Sequence, residues 1–91
     1  MQAKRAGRKR PAGKSRKKPI PESQRKFGQR VRQLREKRGW SQEGFAHEGG
    51  LGRSFSGAIE RGEKDVRLST LIKIAKALGM SVAELVRGVD S

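Results

Sequence analysis

Apolar residues recur along this chain at helical spacing, and each run stops at a glycine. Phe27, Val31 and Leu34 fall at i, i+4 and i+7, which predicts a first helix over about 23–38 closed by Gly39. Trp40 then leads into Ser41, whose hydroxyl is placed to cap a second helix beginning at Gln42. Phe45 and Ala46 form the core side of that helix, and Gly49-Gly50 end it. Leu51 crosses a short turn to a third helix of about 53–61, closed by Gly62. Leu68, Leu71, Ile72, Ala75 and Leu78 make a fourth stripe, with Ser69 as its expected cap and Gly79 as its stop. Ser81-Val82-Ala83-Glu84 reads as a capping box: Ser81 receives the amide of residue 84 while Glu84 reaches back to residue 81. A short fifth helix ending near Gly88 follows. No segment alternates as a strand would and nothing repeats, so the expected fold is all-α, over residues 22–91.

Charge divides the chain differently. Residues 1–21 hold nine Lys or Arg and no acid, residues 22–39 a local +5, and residues 40–91 seven of each sign. The whole chain of 91 residues carries +14. The first block also contains all three prolines and a single large aliphatic residue, Ile20. Such a segment buries too little apolar surface to offset its ordering entropy, so residues 1–21 are expected to be a disordered basic arm. A balance this basic excludes an acidic-patch binder and points to a polyanion. The arm lacks the aromatic and aliphatic residues that would insert into a membrane surface. No apolar run approaches the ~20 residues of a membrane span, and no secretory signal is expected. With no Cys there is no disulfide framework, and one His (His47) builds no transition-metal site alone. Neither metal nor cofactor is expected, nor an enzyme.

Two short helices joined by a tight glycine turn form a helix-turn-helix pattern. Within 42–61, a small residue is needed where the helices touch (Ala46), and one that tolerates positive φ must open the turn (Gly50). Apolar residues at Phe45, Leu51 and Ile59 hold the angle. An ordinary αα-corner in a neutral bundle is the bland alternative.

From Phe27 to Val86 the chain resembles the phage repressor/Cro-like (XRE) helix-turn-helix family. Val31-Arg32-Gln33-Leu34-Arg35, Trp40-Ser41-Gln42-Glu43, Ile59-Glu60-Arg61-Gly62 and Ile74-Ala75-Lys76-Ala77-Leu78-Gly79 carry the resemblance. It implies a five-helix lambda-repressor-like domain that binds operators as a homodimer, and it is nearest to small stand-alone or controller-type regulators. Three residues depart from the pattern: Ser56 stands where a bulky aliphatic is usual, Gly49 where Leu or Ala is, and Gly44 where a better helix former is.

On a third helix starting near 53, residues Arg53, Ser54, Gly57, Ala58 and Arg61 share one face. Small residues flanked by arginines let a helix approach the floor of the major groove. Arg53 suits a guanine O6/N7 edge, Ser54 a base or phosphate, and Ala58 a thymine methyl; the resemblance places base contacts at the same positions. Phe55 is either core filler or a contact with thymine methyls. The resemblance assigns Gln42 to a phosphate at the start of the second helix. Arg61 and Lys64 are expected to clamp phosphates, with Arg8, Lys9, Arg10, Arg16, Lys17 and Lys18 of the arm. The resemblance also implies that Arg35 and Glu60 form a structural ion pair. Met80, Val82, Leu85, Val86 and Val89 are expected to supply the dimer contact.

The expected function is therefore a cytoplasmic regulator of transcription, a repressor on a palindromic site in double-stranded DNA. An adaptor of the multiprotein bridging type and a non-specific nucleic-acid coat driven by the arm are the alternatives.

Overall fold

The computed structural model describes residues 19–91; the arm residues Arg8, Lys9, Arg10, Arg16, Lys17 and Lys18 lie outside them. Five helices follow in order: α1 (Glu22–Lys37), α2 (Gln42–Gly49), α3 (Arg53–Glu60), α4 (Leu68–Leu78) and α5 (Val82–Leu85). No strand occurs among the described residues. The packing runs α1 on α3, α2 on both α3 and α4, and α4 on α5. Phe27, Val31, Phe45, Ile59, Ile74, Ala75, Leu78 and Leu85 form the core where these contacts meet. Trp40 closes its edge, stacked on Phe45 at 6.3 Å between ring centroids and covered by the Arg38 guanidinium at 4.9 Å.

Local chemistry explains most helix ends. The Ser41 hydroxyl accepts from the Gly44 amide at 3.0 Å and starts α2. Gly50 ends that helix in the left-handed region at φ 66, and the Leu51 amide returns to the Ala46 carbonyl at 2.8 Å. In the same manner Gly79 stops α4 at φ 71.

Three expectations at helix ends need correction. The fourth helix has no side-chain cap: Arg67 takes the extended N-cap conformation, so Ser69 already lies in the first turn. The capping box is half made. Ser81 Oγ accepts from the Glu84 amide at 3.1 Å, but the Glu84 carboxylate turns away to Arg87 (2.7 Å) and Arg30 (3.5 Å). That diversion accompanies a short α5, ending at Leu85 and not near Gly88. The Arg30 guanidinium caps its last turn from α1, donating to the carbonyls of Glu84 and Leu85 at 2.8 and 3.2 Å.

The feature that sets the position of α3 is Gly28, in the middle of α1. A Cβ there would stand 2.5 Å from the Ile59 carbonyl oxygen and 2.6 Å from that of Glu60. Backbone therefore touches backbone where α1 crosses the end of α3. Just beyond, Gln24 Nε2 donates to the Gly62 carbonyl at 3.1 Å.

The C-terminal apolar cluster packs partly on its own chain. Leu85 is fully buried, while Met80, Val82, Val86 and Val89 are half-buried against the core of the same chain. Among the described residues the exposed large apolar side chains are Ile20 ahead of α1 (43% exposed) and, on α4, Leu68 (65%) and Ile72 (41%), one helical turn apart.

Candidate nucleic-acid interface

The third helix is held from behind by a buried polar hub. Arg35 of α1 forks onto Glu60 at the end of α3, with Nε to Oε2 at 2.6 Å and the second nitrogen to Oε1 at 3.1 Å. Both side chains are enclosed, at 10% and 2% exposure. The remaining Arg35 amine donates to the Trp40 carbonyl at 2.8 Å, so the guanidinium is well satisfied. Gln42, first residue of α2, joins the hub by donating its amide to Glu60 Oε1 at 3.1 Å. One carboxylate thus ties together α1, α2 and α3.

Ser56 sits deepest in the seat of α3. It is fully buried, and its hydroxyl has no hydrogen-bond partner. A polar group in that position carries its desolvation cost uncompensated. Phe55 is half-buried and packs against the core, so core filler is the environment the structure provides for it.

The outward side of α3 is narrower than residue spacing alone predicts. Arg53 and Ser54 are exposed at its N-terminal end, where Gly52 provides no side-chain cap. Gly57 and Ala58, expected beside them, are buried. Over Gly57 lie the Arg61 guanidinium and the Gln42 side chain, within 3.2 and 4.0 Å of where a Cβ would be. Ala58 is only 6% exposed, and the chain turns just beyond it at Gly62, where the Glu63 amide donates to the Ala58 carbonyl at 2.9 Å. In this conformation the Ala58 methyl is not open to a thymine.

Arg61 and Lys64 are exposed just past α3. Arg61 is engaged fork to fork with Glu63 at 3.0 and 3.2 Å, and that hydrogen bonding raises its pKa above the usual guanidinium value. A phosphate reaching Arg61 therefore exchanges with a carboxylate. Arg53 also has an acidic neighbour, Glu43 of α2, at 3.4 Å. Neither Glu43 nor Glu63 is visible as a site residue in the sequence. Glu43 and Arg53 are ten residues apart and meet only because the turn at 50–52 folds α3 back across α2.

On α1 and at its end the basic residues are largely occupied: Arg30 on α5, Arg32 on Glu36 at 3.1 Å, and the C-cap residue Arg38 on Trp40 and the Ala77 carbonyl. His47 is exposed on α2. Among the described residues no group of His, Asp and Glu is arranged to hold a metal, and no helix is long and apolar enough to cross a membrane.

Comparison with known proteins agrees with this geometry. The helix-turn-helix (HTH_3) family model matches residues 31–85. Control protein C.BamHI of Bacillus amyloliquefaciens is 47% identical over 60 residues, which is 65% of this chain and 74% of that protein. The crystal structure of the restriction-modification controller protein C.AhdI from Aeromonas hydrophila superposes with a TM-score of 0.65 at 48% identity, over 67% of this chain and 92% of that one. The biofilm master regulator SinR, solved in complex with DNA, superposes with a TM-score of 0.62 at 32% identity, over 65% and 95%.

Proposed function

The chain belongs to the helix-turn-helix family of DNA-binding transcription regulators, and from that premise we propose that it reads a two-fold operator as a dimer, with α3 in the major groove. It acts by binding and is not an enzyme. One observation carries the reading. The N-terminal end of α3 presents Arg53 and Ser54 to solvent, while its far end is locked to α1 by the Arg35–Glu60 pair and the Gly28 contact. A rigidly mounted helix with an arginine at its free end is what base-edge readout needs. Arg53 donates to a guanine, Ser54 to a base or phosphate. Gln42, at the start of α2, together with Arg61 and Lys64, holds phosphates on either side.

A single reading helix spans only a few base pairs, so pairing of two chains supplies the second half-site about one turn (~10 bp) away. Leu68 and Ile72 support that pairing, since they are the large apolar side chains most open on α4. The similarity to control proteins supports regulation at such an operator, and the reading extends to repression there, in the cytoplasm, as in the 38% identical transcriptional repressor RstR of Vibrio cholerae. The basic residues of 1–21 add sequence-independent attraction, each neutralised phosphate steepening the salt dependence of log K by ~0.9.

Selection of bound sites from random duplex DNA at about 150–200 mM salt tests the reading. A recurrent inverted repeat is expected, bound by two chains. Affinity that collapses at that salt and ignores sequence would show a non-specific coat instead.

A further inference from the structure

Glu43 stands where a carboxylate is least expected on a surface that meets DNA. It lies in the first turn of α2, behind the Ser41 cap, where the positive end of the helix favours an anion. Its Oε2 accepts from the first residue of α3, Arg53, at 3.4 Å. Both side chains are about three-quarters exposed, at 71% and 74%. A pair so open contributes little to folding. Its location gives it a different consequence, because any ligand that reaches the Arg53 guanidinium also enters the field of the Glu43 carboxylate.

Two kinds of acceptor compete for Arg53 on duplex DNA. A phosphate is anionic; it meets the guanidinium only by approaching a carboxylate of like charge and competing with it for the same N–H donors. A guanine edge offers O6 and N7, which are neutral acceptors and are not repelled in the same way. The guanidinium has five N–H donors, so donating one to Glu43 leaves a free edge for a bidentate contact. Without Glu43, Arg53 would serve either target.

We propose that Glu43 is a positioning and specificity-determining residue: it orients Arg53 and biases it toward a base edge and against the phosphate backbone. The inference rests on the proposed duplex readout by Arg53. It assigns Glu43 no contact of its own with DNA.

The test compares the full chain with E43Q, which keeps the shape and loses the charge, and E43D, which keeps the charge. Each is titrated at about 150 mM salt against the selected site, the same site with the Arg53 guanine replaced, and a random duplex. In E43Q the random duplex should bind about two- to fivefold more tightly, the range an exposed pair of this kind supplies. The selected site should change less, so the ratio between them narrows and the penalty for replacing the guanine shrinks. E43D should behave nearly as the parent. A shift by the same factor on all three duplexes would overturn the role of Glu43 while leaving duplex readout standing. A parent chain with no preference among the three duplexes would overturn both.

Discussion

The two ends of α3 are held by the same kind of pair, an arginine and a glutamate, in opposite surroundings. At the C-terminal end Arg35 and Glu60 are enclosed, bidentate and joined by Gln42 and the Trp40 carbonyl. At the N-terminal end Arg53 and Glu43 meet through one long contact in open solvent. Burial decides what each does. Water is excluded from the first pair, so losing either partner strands a charge in a poor solvent, whereas in the second both partners rehydrate freely. One end anchors the helix and the other is free to exchange partners with a ligand.

The contrast is most directly broken at the anchor. Glu60→Gln leaves the buried Arg35 cation with only the more distant, exposed Glu36 carboxylate at 3.9 Å, and the domain should lose roughly 3–5 kcal/mol in urea unfolding. A loss under 1 kcal/mol would mean that the hub is wetter than its burial implies. Gly28→Ala comes next. Its methyl meets carbonyl oxygens of α3 that cannot give way as a side-chain tip would, so a loss of roughly 1–3 kcal/mol or more is expected. Wild-type melting of this variant would refute the backbone contact.

At the free end the effect should move from stability to binding. Arg53→Ala should leave unfolding within about 0.5 kcal/mol of the parent, as surface substitutions do. It should cost roughly 1–3 kcal/mol of operator affinity, concentrated at one guanine position. Equal weakening on every sequence would reassign Arg53 to the phosphates. The smallest change expected is a gain. Ser56→Ala removes the unpartnered buried hydroxyl and should stabilise the domain by about 1 kcal/mol without altering the preferred site.

The helices were legible because their signals are local. A stripe at i, i+4, i+7 ending in glycine needs no knowledge of the rest of the chain, and α1 to α4 fall within a residue or two of where the stripes put them. Ser41 and Ser81 were readable as caps for the same reason. What escaped depends on partners distant in sequence. Gly28 lies between Phe27 and Val31 and draws no notice until the carbonyls of Ile59 and Glu60 are placed against it. Gly57 and Ala58 share a helical face with Arg53, yet both are buried, Gly57 under the side chains of Arg61 and Gln42. Helical periodicity tells which residues share a side, not which of them a neighbour shields. Nor does apolar character say how much of Met80, Val82, Val86 and Val89 the chain's own core takes up; each is half-buried there.

The backbone contact at Gly28 has a consequence for how such a protein changes its target. A spacing set by side chains drifts whenever those side chains are replaced, but one set by main chain resting on main chain is a hard stop, indifferent to what residues 53 and 54 become. The scaffold then acts as a fixed tool-holder with an interchangeable bit: under the proposed readout, new operators would be reached by changing Arg53, Ser54 and Glu43 without resetting the depth at which the helix is presented.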